Sequence, residues 1–254
     1  QITQVAFIIG ALLSASTMAW SIWKVPELPV SPQAMAAMKA KQQGWLSTLR
    51  EIVDALKEMP QAMRQLVWMK LFQWYAMMCY WQYVTYAIAR NLFDTSDPTS
   101  TGFRDAVLVN GQIGGFYNAV AFVAALAMVP FTRKWGAGKM HALCLVAAGL
   151  GMMAIPQIQS QALLFIPMIG IGLGWASIMG NPYVMLARSV PPERTGVYMG
   201  IFNMFIVIPL MLGGALMALM YDPVFGGDPR HVLMTAGVMM ICAAVATLRV
   251  KVPD

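Results

Sequence analysis

Seven stretches of the chain, residues 2–23, 67–89, 106–131, 140–156, 162–187, 197–220 and 232–248, are apolar for long enough to span the hydrocarbon of a bilayer. A spanning helix needs about 20 such residues at 1.5 Å each. No water is available at that depth, so each backbone N–H and C=O must find its partner inside the segment, and a helix is the form that does this. The chain is therefore expected to be an all-α membrane protein with seven transmembrane helices. Composition agrees: hydrophobic residues make up 59% and charged residues only 11%, with a mean hydropathy of +0.61. Soluble domains carry about a quarter charged residues, so this chain lacks the charge to cover a water-facing surface.

The net charge of +6 does not form one patch, which argues against a nucleic-acid partner. The basic residues recur at the ends of the apolar runs, where they set orientation. Seven lie between Lys24 and Lys70, and Arg133, Lys134, Lys139, Arg188, Arg194, Arg249 and Lys251 fall on the same side. That makes fourteen against three, the three being Arg90, Arg104 and Arg230 beside Asp94, Asp97, Asp105, Asp222 and Asp228. By the positive-inside rule the larger group is cytoplasmic, so an integral protein of the plasma or inner membrane with a cytoplasmic C-terminus is expected. The chain opens at Gln1 on a full-length apolar span with neither a basic leader nor a cleavage site. No signal peptide is expected, and the opening reads as the interior of a longer protein.

Three units follow: residues 1–24 as one transmembrane helix, 25–66 as a cytoplasmic loop, and 67–254 as a six-helix bundle. In the loop, Pro26, Pro29 and Pro32 exclude regular helix. From Trp45 onward, Leu49, Ile52, Val53, Leu56, Met59 and Met63 recur at helical spacing between Arg50, Glu51, Asp54, Lys57 and Glu58. This predicts an amphipathic helix along the inner leaflet or under the bundle, with a calmodulin-type target as the lesser reading. One span, a long basic loop and six further spans resemble the central part and C-terminal half of a major facilitator transporter, whose two halves are parallel repeats. The resemblance makes residues 1–24 helix six of twelve.

No Asp or Glu lies in the middle of a span, and such carboxylates are the usual proton relays. A coupling carboxylate is accordingly expected in the N-terminal half. Asp105 and Arg104, at the outer mouth of a span, read as a solvated pair. His141 and His231 stand at helix starts near the interface and are expected to be exposed, with no base-and-nucleophile arrangement that would make an enzyme. Cys79, Cys144 and Cys242, at unrelated spacings within apolar runs, are expected to pack and to hold neither metal nor disulfide. No cofactor is implied, since Gly170-Ile171-Gly172-Leu173-Gly174 lies deep in an apolar run with no preceding strand. Gly111 with Gly115, Gly170 with Gly174, and Gly196 with Gly200 have the spacing that lets helices approach closely. Pro167, Pro182 and Pro209 are expected to kink their spans.

Neutral polar and aromatic residues are dense inside the spans, among them Gln73, Trp74, Tyr80, Trp81, Asn110, Gln112, Tyr117, Asn118, Trp175, Asn181, Tyr183 and Asn203. Any one of them has an ordinary reading as interfacial aromatic or interhelical glue. Together they suit a sugar, whose ring has an apolar face for an indole and hydroxyls for amides and phenols.

Gly174-Trp175-Ala176-Ser177, Asn181-Pro182-Tyr183, the run Gly196-Val197-Tyr198-Met199-Gly200-Ile201-Phe202-Asn203, and Ile206-Val207-Ile208-Pro209 resemble the sucrose/maltose-type sugar–proton symporters, which include plant sucrose carriers and bacterial relatives. The likeness spans most of residues 67–215. Many members carry Gln after the last run, where this chain has Leu210. The resemblance implies twelve helices around a central cavity, alternating access, and proton-driven carriage of an α-glucoside such as maltose or sucrose. A non-transporting sugar sensor, or an exporter of other small molecules on the same scaffold, are the competing readings. Gln73, Trp74, Trp81, Tyr117, Asn118, Asn181 and Asn203 are the expected cavity residues, with Arg133, Lys134 and Arg194 as gating residues beside Lys139. The expected partners are the sugar, a proton, the lipid bilayer and the N-terminal half.

Overall fold

In the computed structural model the described residues are 2–25, 33, 35–36, 44–191 and 194–251. Pro26, Pro29, Pro32, Lys39, Lys41 and Glu193 lie outside them. Every regular element among the described residues is helical: α1 (Ile2–Lys24), α2 (Gly44–Lys57), α3 (Gln61–Leu92), α4 (Thr101–Trp135), α5 (Ala137–Ala154), α6 (Phe165–Ala187), α7 (Thr195–Phe225) and α8 (Pro229–Leu248). The chain divides into two compact units, Gln1–Glu51 and Ile52–Asp254. In the first, α1 ends with the Lys24 ammonium 5.3 and 5.1 Å from the ring centres of Trp20 and Trp23. An aromatic pair beside a lysine suits the edge of the hydrocarbon.

Six helices are long and apolar enough to cross a membrane: α1, α4, α5, α6, α7 and α8. The expected seventh, residues 67–89, lies within α3, which at 32 residues is long enough but carries too many polar groups to meet the apolar criterion. Part of its polar load is covered by other helices: Lys70, Gln73, Trp74 and Tyr80 are buried, while Trp81 and Gln82 stay exposed. Helix α4 overruns the apolar run 106–131 at both ends, because the backbone continues its hydrogen bonds beyond the hydrocarbon, whereas α6 and α8 end with their runs at Ala187 and Leu248. Helix α7 likewise continues through Pro223 to Phe225. Pro167 falls in the first turn of α6, where a missing N–H costs nothing, so it kinks no helix; Pro182 and Pro209 are internal to theirs.

In the second unit α6 packs on α5, α5 on α8 and α8 on α3, while α4 lies against α6 and α3, and α7 against α3. Lipid offers no hydrophobic drive between helices, so close approach of backbones supplies the attraction. A Cβ on Gly149 would lie 2.7 Å from the Gly237 carbonyl oxygen, and one on Gly237 would lie 2.5 Å from that of Gly149, a reciprocal seam between α5 and α8. Gly170 and Gly174 do the same for α6 against Ala147 and Ala148 of α5. The other expected pairs, Gly111 with Gly115 and Gly196 with Gly200, meet nothing within 4 Å among the described residues. Cys79 and Cys144 are buried and Cys242 is half-buried, all three as free thiols.

Of the expected amphipathic helix, Ala55 and, beyond its end, Met59 enter the core, whereas Val53 and Leu56 stay exposed. At the far end of the bundle Asp228 caps α8: its carboxylate accepts from the Arg230 backbone N–H at 2.9 Å and from the Arg230 guanidinium at 2.7 Å. These bonds to Arg230 hold the Asp228 carboxyl below the usual carboxylate range.

Two predictions follow from this packing. Gly237→Val in the full-length protein should cost about 1–3 kcal/mol, read as a fall in Tm in detergent of about 2–4 °C per kcal/mol, whereas Gly115→Ala should leave Tm unchanged or raise it. Asp228→Ala should cost about 0.5–2 kcal/mol at neutral pH through the lost cap. Because the folded carboxyl is depressed, that stabilisation is complete above the unfolded value of about 3.9 and fades as pH falls through the lower folded one. Melting curves of variant and wild type should converge at acid pH, and a constant gap would show that the charge of Asp228 is immaterial.

Candidate functional site

The site is built on α3, whose middle carries indoles and amides on successive turns. Trp74 and Trp81, seven residues apart, lie on one face, and Trp175 of α6 joins them. The ring centres are 6.2 Å apart for Trp74 and Trp81, 6.3 Å for Trp74 and Trp175, and 5.5 Å for Trp81 and Trp175. The contacts are tilted or edge-on, as aromatic quadrupoles prefer. Trp74 is buried, but Trp81 remains 38% exposed, so the cluster presents an accessible indole backed by a fixed one.

One turn before Trp74, Lys70 is fully buried. Its Nζ lies 4.2 Å from the ring centre of Phe202, 4.9 Å from that of Tyr183 and 5.6 Å from that of Trp74. Sequence counting had placed Lys70 with the basic loop residues; α3 begins at Gln61 and carries it about 13 Å along the axis, into the bundle. The topogenic excess thus falls to thirteen (fourteen less Lys70) against three, which leaves its sign unchanged.

Beside Lys70 a chain of hydrogen bonds crosses four helices. Thr132 of α4 donates to Asn181 Oδ1 at 3.3 Å, and Asn181 Nδ2 donates to Ser177 Oγ at 2.7 Å, both on α6. Ser177 lies 2.8 Å from His141 Nδ1, and His141 Nε2 lies 3.0 Å from Gln73 Oε1 on α3. Gln73 Oε1 can only accept, so His141 carries its hydrogen on Nε2 and Ser177 donates to Nδ1. His141 was expected at the exposed interface and is instead completely buried. Helix α5 starts at Ala137, so position 141 lies a full turn inside, on the face toward α3 and α6. His231 does stay exposed at the start of α8, bonded through Nδ1 to the Phe225 carbonyl at 2.9 Å.

Of the expected cavity residues, the structure connects Gln73, Trp74 and Trp81 directly. Asn181 joins through Ser177 and His141. Asn203 joins through Tyr183, whose hydroxyl donates to it at 3.2 Å and whose ring faces Lys70. Tyr117 stacks edge-on with buried Tyr80 at 6.3 Å. Asn118 is the exception: it is exposed and donates to the Gly114 carbonyl of its own helix at 2.8 Å. Asn110 serves as glue, donating to Thr85 across α4 and α3 at 2.9 Å, and Gln112 is exposed and accepts from Gln161 at 2.8 Å. Lys70, His141, Ser177 and Trp175 were missing from the expected set. A lysine four residues inside an apolar run was the available signal for the first.

Among the gating candidates, Arg194 pairs with Glu58, tying the start of α7 to the turn after α2. Hydrogen bonding to Glu58 holds its guanidinium above the ordinary range. Arg133 and Lys134 are exposed at the end of α4 and make no ion pair among the described residues. A pocket of about 460 Å³ opens there between α4 and α6, lined by Met128, Thr132, Arg133, Asn181, Val184 and Arg188. It reaches the hydrogen-bond chain at Asn181. Arg104 and Asp105 are both exposed.

Apolar helices around a polar, aromatic interior are what a carrier of small molecules through lipid requires. The family model described as Major Facilitator Superfamily matches residues 2–214 and residues 108–254. No curated protein and no solved structure matches the chain. The two family matches together cover the chain from residue 2 to its end, and neither reaches the narrower sucrose/maltose group. This integral membrane protein therefore belongs to the major facilitator superfamily of transporters.

Proposed function

We propose that this transporter carries a sugar by alternating access and is driven by a proton gradient. The observation behind the reading is the tryptophan cluster. A pyranose presents an apolar face of C–H bonds, and half-exposed Trp81, held edge-on by Trp175 and at a tilt by Trp74, is a surface for that face to stack on. Gln73, Tyr117, Asn118, Asn181 and Asn203 are the polar groups proposed to meet the hydroxyls, with Asn118 turning from its own helix to do so. The resemblance of the stretch from Gly196 to Pro209 to sugar–proton symporters supports the same class and suggests an α-glucoside such as maltose or sucrose.

No carboxylate is placed in the interior of a described spanning helix: of the described acids, Glu51 and Asp54 lie on the amphipathic helix α2, and Glu58, Asp94, Asp97, Asp105, Asp222 and Asp228 lie in loops or at helix ends. The proton is accordingly assigned to a carboxylate in the N-terminal half, the partner needed to complete the cavity in the bilayer. The basic ends of α4 and α6 are taken as cytoplasmic, which puts the C-terminus there too. Arg194 with Glu58, and Arg133 with Lys134, are proposed to act at the cytoplasmic gate, where breaking a surface pair is cheap enough to repeat on every cycle.

In vesicles containing the full-length protein, labelled maltose or sucrose should accumulate when the proton gradient points inward and only equilibrate when it is collapsed. Trp81→Ala should raise KM about three- to tenfold, since an aromatic contact is worth about 0.5–1.5 kcal/mol. Sugar binding with no uptake would make the protein a sensor, and failure of any sugar to bind or compete would end the sugar reading.

A further inference from the structure

Three buried nitrogens one helical turn apart on α3, at positions i, i+3 and i+4, have no hydrogen-bond partner among the described residues: Lys70 Nζ, Gln73 Nε2 and Trp74 Nε1. All three are donors. An unpaired buried donor costs about 1–3 kcal/mol, and a charged one more, so such groups are rare and call for an explanation. The rings of Trp74, Tyr183 and Phe202 around Lys70 stabilise its charge through their faces but accept no ordinary hydrogen bond. The neighbouring hydrogen-bond chain offers no acceptor either. Its polarity runs from Thr132 through Asn181, Ser177 and His141 to Gln73, where Oε1 accepts from His141 and the amide N–H is left without a partner.

The local charge is as one-sided as the hydrogen bonding. Lys70 is in no ion pair among the described residues, and the described acids all lie on α2, in loops or at the ends of the spanning helices. A site with one cation, two neutral donors and no acceptor is complementary to a group that only accepts.

The geometry points to a donor-only subsite formed by Lys70, Gln73 and Trp74 that takes the carboxylate of an acidic sugar. One positive charge matches a monoanion. A sugar phosphate, with close to two negative charges, is ordinarily met by more than one cation or by a helix N-terminus, and Lys70 lies in the interior of α3. The carboxylate is assigned by the unpaired donors; that it is borne on a sugar rests on the preceding reading of Trp81 and Trp175. The inference narrows the sugar from a neutral α-glucoside to a uronic or aldonic acid, stacked on the tryptophans with its acid group directed along α3 toward Lys70. Access requires the rings over Lys70 to part, a motion within the range of an alternating-access cycle.

The test uses full-length protein in proteoliposomes, with labelled glucuronate against glucose, maltose and glucuronamide, the last being the neutral isostere of glucuronate. Glucuronate should compete at concentrations at least tenfold lower than glucuronamide in the wild-type protein, a comparison that needs no variant to fold. Lys70→Met should erase that preference, read as the ratio of glucuronate to glucuronamide competition so that a change in overall transport cancels, and Lys70→Arg should retain most of it. Maltose uptake with no competition by glucuronate would overturn the carboxylate subsite and leave the sugar reading standing. Equal competition by glucuronate and by butanoate, which has no hydroxyls, would keep the subsite and remove the sugar. Glucose 6-phosphate outcompeting glucuronate would overturn the monoanion assignment, and an unchanged glucuronate preference in Lys70→Met would remove Lys70 from the site.

Discussion

A polar group inside a bilayer must find its partner within the protein, and this structure is organised by how that demand is met. The backbone meets it by remaining helical across the apolar runs and, in α4 and α7, past both ends of them. Side chains meet it by pairing across helices, as Thr132, Asn181, Ser177, His141 and Gln73 do between α4, α6, α5 and α3. Such a chain also fixes the register of the helices, because sliding any one of them by a residue would leave several polar groups unpaired at once. The seams of small residues around Gly149, Gly170 and Gly237 act in the same direction, since backbones that nearly touch at one register clash at the next. Helix α7, which packs mainly on α3, is outside that hydrogen-bond chain, so the chain does not fix its register.

The spans were legible in the sequence because lipid imposes a minimum length and a composition, and both survive in a single chain. Their ends were less so: apolarity stops at the membrane surface, while a helix stops only where its backbone finds other partners. Thr101 and Trp135 lie several residues beyond the expected ends of 106–131 for that reason. Helix α3 shows a different difficulty. Its run, 67–89, is long enough to be read as a span but carries more polar groups than the others, and Lys70, Gln73, Trp74 and Tyr80 among them are covered by other helices.

Azimuth was the property least available from sequence. A helix that is apolar on every side, as α5 is, has no polar face to show which residues point inward. His141 therefore reads as an interfacial residue from its distance to Lys139, although it faces the centre of the bundle. Asn118 errs the other way: its type and neighbours suggested the cavity, and its amide is bonded to its own backbone at Gly114. Type and spacing do better where several such residues share a helix. Gln73, Trp74 and Trp81 could be grouped without a structure because positions 73 and 74 adjoin and 81 follows two turns later. Trp175 could be placed against them only by the packing of α6.

The position of Lys70 connects these points to transport. A charge can be kept in a low-dielectric interior without an ion pair only if other interactions compensate its desolvation. Here three aromatic rings do part of that, and they come from different helices: Trp74 from α3, Tyr183 from α6 and Phe202 from α7. Any movement of α7 against α3 therefore changes the environment of the charge. Tyr183 also donates to Asn203 on α7, so the same displacement would break a hydrogen bond and open the ring cage together. A cargo anion reaching Lys70 would replace the interactions lost in that opening. Binding and helix movement would then stabilise each other, which is the energetic coupling that alternating access needs.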